Sequence, residues 1–284
     1  MQQNSSILQE RLDDLIKLAF REDIFTGDVA TEAIIPIQEE ATAIISAKAE
    51  GIISGIEVAH RVLNYLGENE FTPLVNDGDR VHPGQELIQM KAKYNVLLSA
   101  ERTMLNFMQR MSGIATATNQ LVAAIEGTGT RLLDTRKTLP GHRYTDKMAV
   151  RHGGGLNHRM GLYDMAMLKD NHIKISGGIT AAVRNARKQL PISILIEVET
   201  STLEEVKEAV AVGADIIMLD NMSCEMMKQA VDIIGHKAKT EASGNITLER
   251  IAQVAATGVD YISVGAITHT VKALDISMNF VQNN

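Results

Sequence analysis

The chain of 284 residues has a single cysteine, Cys224. One thiol excludes an intramolecular disulfide, and a reducing, cytoplasmic compartment is the expectation that follows. No apolar run approaches the roughly 18 residues that a membrane span needs. The opening MQQNSSILQERLDDLIK has neither the basic start nor the apolar core of a secretory leader. Positive charge is short as well: 28 Lys and Arg face 35 Asp and Glu, for a formal net charge of −7 and a pI near 5.6. That balance argues against general nucleic-acid binding, which needs a basic face. Several signatures are missing too. There is no G-x-x-x-x-G-K-[ST] phosphate loop and no G-x-G-x-x-G fingerprint. No serine sits in a G-x-S-x-G elbow, so HGGG (152–155) is not an esterase oxyanion hole. Histidine and cysteine do not cluster at zinc spacing.

What is present reads as two textures. Residues 7–20 carry apolar positions at helical spacing, an amphipathic opening helix. EATAIISAKAEGIISG (40–55) reads as strand, turn, strand, and IEVAHRVLNYLG as a helix. FTPLVNDGDRVHPGQELIQMKAKY alternates and turns at Asp77-Gly78 and Pro83-Gly84, a hairpin region. Its DGDRVHPGQEL resembles half of a biotinyl or lipoyl domain, but the lysine falls on the wrong side of the turn. Residues 95–126 show long helical periodicity with an expected break near Ser112-Gly113. From there a second domain is expected over 113–269, after a first over 1–112 that the C-terminal segment 270–284 rejoins.

In the second part short apolar runs alternate with helical segments: RLLDTRK (131–137), DMAMLKDNH (164–172), ILIEVET (194–200), DIIMLDN (215–221), TEASGNI (240–246) and YISVGAI (261–267). Strand–helix alternation implies parallel strands with crossover helices. Strands buried on both faces read as continuous apolar runs. With six such strands, an open, incomplete β/α barrel is expected, its chemistry at the C-terminal strand ends.

Those ends gather opposite charges. The first run closes on Arg136 and Lys137, and the following loop carries His142, Arg143, Arg151, His158 and Arg159 around three glycines (153–155). The second ends in Lys169, the third offers Glu197 and Glu199, the fourth Asp220, and the last two end in small residues. Arginine forks bind carboxylate or phosphate bidentately. Acidic groups can hold Mg²⁺ or ribose hydroxyls, and glycine-rich turns present amides to phosphate. A substrate with carboxylates and a second with phosphates and a sugar fit this set. Each charge alone is more often a solvated surface group; their coincidence at strand ends carries the functional reading.

DTRKTLPGHRYTDKMAVRHGGGLNHRMGLYDMAMLKDNH (134–172) is similar to the signature of the quinolinate phosphoribosyltransferase family. SAERTMLNFMQRMSGIAT, IEVET, IMLDNM, EASGNIT and ISVGAITH extend the resemblance over almost the whole chain. It implies an N-terminal α/β sandwich domain followed by an incomplete β/α barrel. It also implies the conversion of quinolinate and phosphoribosyl diphosphate to nicotinate mononucleotide, diphosphate and CO₂, with Mg²⁺, in NAD biosynthesis. Dimers, sometimes hexamers, are implied. The quinolinate carboxylates are expected at Arg136, His158, Arg159 and Lys169, with Arg102 supplied by a partner subunit. Lys137 is expected at the phosphoribosyl diphosphate, Glu199 and Asp220 at ribose and metal. Ser243, Gly244 and Gly265 are expected at the 5′-phosphate, with His269 nearby. One departure is visible: many members read EASGGI, and Asn245 stands here for the second glycine. Asparagine is the next most tolerant residue where φ must be positive. Three alternatives have discriminating tests. A Schiff-base lysine (Lys137 or Lys169) would trap with borohydride. A sensor would bind without turnover. A relative acting on nicotinate would not release CO₂.

Overall fold

The computed structural model describes residues 2–35 and 39–281. In chain order the elements are α1 (Gln2–Asp23), α2 (Val29–Ile34), β1 (Glu40–Ala47), β2 (Gly51–Ile52), α3 (Ile56–Leu66), β3 (Asn69–Pro73), β4 (Arg80–Val81), β5 (Glu86–Lys93), α4 (Tyr94–Ala124), β6 (Arg131–Leu133), α5 (Arg143–His152) and β7 (Ala166–Leu168). There follow α6 (Asp170–Ser176), α7 (Ile179–Gln189), β8 (Ile196–Thr200), α8 (Leu203–Val212), β9 (Ile216–Asp220), α9 (Cys224–Ile234), β10 (Lys239–Ser243), α10 (Leu248–Ala255), β11 (Tyr261–Ser263), α11 (Ala266–His269) and β12 (Ile276–Phe280). None of these helices is long and apolar enough to cross a membrane. Two compact units divide the chain: residues 1–119, 138–154 and 268–284 form one, 120–137 and 155–267 the other. Residues 138–154, which the sequence pattern placed with the barrel, group with the first unit.

The first unit is built on an antiparallel sheet in the order β12-β1-β5-β3. β1 alternates: Ala41, Ala43, Ile45 and Ala47 are buried, and the residues between them are less so. A period of two buries one face of a strand. The C-terminal β12 pairs with β1, from Ala43 opposite Phe280 to Ala47 opposite Ile276. The hairpin region resolves differently from its sequence pattern: β5 pairs with β3 across the intervening turns, and β4 pairs with β2. α3 buries Ile56, Val58, Ala59, Val62 and Leu63, an apolar stripe at helical spacing.

The expected break at Ser112-Gly113 does not occur; α4 runs through both residues. Gly113 is there for close approach instead, because a Cβ would collide with the backbone of Lys272 and Ala273. Ser112 keeps its place in the helix while its hydroxyl donates to Ser54 O at 3.1 Å and accepts from Ser54 N at 2.9 Å.

The second unit is a six-stranded, wholly parallel sheet in the order β6-β11-β10-β9-β8-β7. β6 and β7 are its edges, so among the described residues the barrel stays open, in agreement with the six expected strands. The crossover helices carry standard signals. α8 begins with a reciprocal cap: Thr202 Oγ1 accepts from Glu205 N at 3.2 Å, and Glu205 Oε2 accepts from Thr202 N at 3.0 Å. It ends at Gly213, whose φ of 79° is left-handed. These short loops leave the C-terminal ends of β8, β9 and β10 side by side, in register: Glu199 opposite Met218, and Asp220 opposite Ser243.

Candidate active site at the strand ends

Two strands and the segment before β7 converge on one buried cluster in the second unit. Glu197 of β8 (0% exposed) and Glu241 of β10 (1%) are both buried. Between them lies the His158 side chain, 6% exposed. Its Nε2 is 3.1 Å from Glu197 Oε2 and 3.3 Å from Glu241 Oε2. The backbone of this segment is also fastened. His158 N donates to Asp134 Oδ1 at 2.9 Å, and Asn157 Nδ2 donates to Asp134 Oδ2 at 2.6 Å. Asp134, just past β6, is itself fully buried.

Burial by itself would lower the His158 pKa. Hydrogen bonding to Glu197 and Glu241, and their charges, overcome burial and push it up to about 10. The Glu197 carboxyl is raised, first by burial and then by the charge of Glu241. The Arg159 amide donates to His158 Nδ1 at 2.7 Å, which requires a lone pair there and hydrogen on Nε2. An imidazolium would lose that contact. A proton on the ring and a proton on a glutamate give the cluster the same single negative charge. The proton therefore belongs to the three side chains together.

Arg159 reaches outward from this anchor. Its guanidinium donates through Nη1 to Met165 O at 3.1 Å, and Nη2 lies 3.6 Å from Met167 Sδ. Its pKa is lowered, first by burial and then by the charge of Arg136. Two arginines are thus held close enough to repel, with Arg136 exposed. Such a pair is stabilised by an anion that both can reach. Lys137, next to Arg136, is exposed at the same strand end.

The acidic side lies on the neighbouring strands. Lys169 Nζ is 3.7 Å from Glu199 Oε2. The Glu199 carboxyl is raised, first by burial, against the pull of Lys169, and further by the charges of Asp220 and Asp170. Ser243 is the last residue of β10, and Gly244 follows with φ 95°. Asn245, standing where glycine was expected, has φ 52°, so the position does demand the left-handed region. Gly265 leads into α11.

The structure therefore brings together Arg136 with Arg159, Lys169 with Glu199 and Asp220, and Asp220 with Ser243. Arg102, exposed on α4, and His269, exposed with Nδ1 at 2.8 Å from the Thr270 hydroxyl, belong to the first unit. So do Arg151 and His152, which end α5; His152 Nδ1 is 2.8 Å from Ser54 Oγ. Two of the three glycines have a backbone reason to be there. A Cβ at Gly153 would collide with Ala115 O and Thr118, and Gly154 has φ 89°. Arg143 braces its own loop through Nε to Thr138 Oγ1 at 2.8 Å. Asp134 and Glu241 were not singled out from sequence. β10 reads Lys-Thr-Glu-Ala-Ser, so Glu241 does not interrupt an apolar run and carried no signal of that kind.

A family model for the N-terminal domain of quinolinate phosphoribosyl transferase matches residues 28–112, and one for its C-terminal domain matches residues 114–279. The chain belongs to the quinolinate phosphoribosyltransferase family. A probable carboxylating nicotinate-nucleotide pyrophosphorylase from Bacillus subtilis is 43% identical over 275 residues, covering 96% of this chain and 95% of the relative. A chloroplastic carboxylating nicotinate-nucleotide pyrophosphorylase from Arabidopsis thaliana is 45% identical, covering 94% and 82%. Among solved structures, the nicotinate-nucleotide pyrophosphorylase of Francisella tularensis superposes with a TM-score of 0.91 at 43% identity, over 96% of each chain. The phosphoribosyltransferase family thus accounts for both units, including β12, which closes the first sheet.

Proposed function

We propose that this chain is a carboxylating nicotinate-nucleotide pyrophosphorylase of NAD biosynthesis. It joins quinolinate to phosphoribosyl diphosphate and releases nicotinate mononucleotide, diphosphate and CO₂. The observation that carries the reading is the Arg136–Arg159 pair at the same strand ends as Lys169, Glu199 and Asp220. Two cations near enough for the charge of Arg136 to act on Arg159 suit a dianion better than a single carboxylate.

Each group has work to do. Arg136, Arg159 and Lys169 fix the quinolinate carboxylates and aim its ring nitrogen at C1 of the ribose. Lys137 balances charge on the departing diphosphate. As the C1–O bond to diphosphate breaks, positive charge grows on the ribose ring, and Glu199 lies ready to stabilise it. The nitrogen lone pair forms the new bond to C1. The ring is then a pyridinium, and it takes up the electron pair left when the bond from C2 to its carboxylate breaks. CO₂ departs and a proton from solvent fills C2. No covalent enzyme intermediate is required; positioning is the main contribution. His158 supports this clamp from behind, through the Arg159 amide and the buried glutamates. Ser243, Gly244 and Gly265 offer hydroxyl and amide groups to the 5′-phosphate.

Glu199 and Asp220 fit Mg²⁺: they are hard oxygen donors on adjoining strands, near enough for the charge of Asp220 to weigh on the Glu199 carboxyl. When bound, the ion would offset charge on the diphosphate. Arg102 completes the site from a second subunit in a homodimer, or a hexamer of three dimers, in the cytoplasm. The test is competition between acceptors. With phosphoribosyl diphosphate and Mg²⁺ present, quinolinate is consumed in preference to nicotinate. Preference for nicotinate would overturn the reading.

A further inference from the structure

Two asparagines occupy left-handed backbone at adjoining strand ends: Asn221 after β9, with φ 54°, and Asn245 after β10, with φ 52°. Their side chains are linked. Asn245 Nδ2 donates to Asn221 Oδ1 at 3.1 Å, and Asn221 Nδ2 donates to Asp220 Oδ2 at 2.8 Å. A side-chain amide presents oxygen on one side and NH₂ on the other. Once Asn245 donates to the oxygen, the NH₂ of Asn221 must face Asp220. If that donor were removed, the Asn221 amide would lose a contact that fixes its plane, and its NH₂ would hold the Asp220 carboxylate less firmly.

The loops that carry this link are held at several points. Asn221 N donates to Ser243 O at 2.9 Å. Arg250 donates through Nη1 to Asn245 O at 3.2 Å and through Nη2 to Met222 O at 3.1 Å. A Cβ at Gly244 would collide with the Asn221 side chain, so the amide sits directly over bare backbone. The link therefore has a fixed frame and one replaceable part, the Asn245 side chain. Glycine, the residue of many related sequences, would keep the backbone conformation and supply no donor.

We propose that Asn245 is a positioning residue that acts through Asn221 to aim the Asp220 carboxylate at Mg²⁺-bound phosphoribosyl diphosphate. The proposal rests on the function argued above for the same strand ends. Groups that orient a metal-binding carboxylate change metal affinity by about tenfold or more when removed. Asn245→Gly keeps the left-handed backbone and deletes the donor. Asn245→Asp keeps the size and cannot donate.

The measurement is calorimetric binding of Mg²⁺–phosphoribosyl diphosphate without quinolinate, so that nothing turns over. Both variants should bind about tenfold more weakly, with an unchanged KM for quinolinate and an unchanged Tm. Asn221→Gly should weaken binding to a similar degree, and the double variant with Asn245→Gly should be no weaker than Asn221→Gly alone. Wild-type affinity in Asn245→Gly, or fully additive losses in the double variant, would overturn the relay. Failure of the wild-type protein to bind Mg²⁺–phosphoribosyl diphosphate would instead overturn the functional reading beneath it.

Discussion

Arg159 is the residue on which the proposed anion clamp turns. Its amide is tied to His158 and its guanidinium to Met165, so the charge is placed before any ligand arrives. Arg159→Ala should weaken quinolinate binding by roughly ten- to a hundredfold, the range for a lost charge-assisted hydrogen bond, in a titration calorimeter. A fold unchanged by circular dichroism should accompany the loss. The cluster behind it makes a second prediction. The folded cluster keeps its extra proton up to about pH 10, whereas an unfolded histidine releases it near 6.5. Its stabilisation is therefore complete below about pH 6.5 and fades as pH rises toward 10. Tm measured across that window should fall in the wild-type protein and fall less in Glu241→Gln; parallel curves would refute the assignment. The strand-end charges were legible in the sequence because they interrupt apolar runs. Which of them would be buried was not, since Glu197, Glu241 and His158 come from distant segments and only the folded sheet brings them together.

Among the elements, α4 separates local preference from tertiary demand. Glycine inside a helix normally costs about 1 kcal/mol relative to alanine, so Ser112-Gly113 looks like a break. The Lys272 backbone lies where a Cβ would stand. Gly113→Ala should therefore destabilise the protein by about 1–3 kcal/mol in urea unfolding, opposite in sign to the helix scale. The same helix carries Arg110, whose Nε and Nη2 meet Asp146 of α5 at 2.9 and 2.7 Å. Asp146 is fully buried, and Arg110 also donates to Thr268 O at 3.2 Å. Asp146→Ala would leave a guanidinium without its carboxylate, at a cost of about 3–5 kcal/mol read from the same unfolding curves. Five of the six parallel strands were readable as short apolar runs, and β10, which reads Lys-Thr-Glu-Ala-Ser, by the strand–helix alternation around it. The pairings of β3 with β5 and β2 with β4 were not, because turn residues mark where the chain reverses and not which strand receives it. At the opposite, N-terminal strand ends the acids are satisfied: Asp260 accepts from Lys239 Nζ at 2.7 Å and from Thr240 N at 2.9 Å.

For the whole molecule, the order of elements follows from sequence texture and the division into units only partly. Residues 138–154 lie between two barrel strands in the chain yet belong to the first unit, because α5 is tied to α4 by the Arg110–Asp146 pair. The proposed completion of the site by Arg102 of a second subunit has a direct consequence. Mixing Arg102→Ala chains with Arg136→Ala chains, each inactive alone, should restore activity through one intact site per mixed dimer. The central claim, decarboxylating phosphoribosyl transfer, is tested most directly by following both products of one reaction. Purified protein with quinolinate, phosphoribosyl diphosphate and Mg²⁺ should release nicotinate mononucleotide and CO₂ in equal amounts. Nucleotide formed without CO₂, or no nucleotide from quinolinate at all, would contradict it.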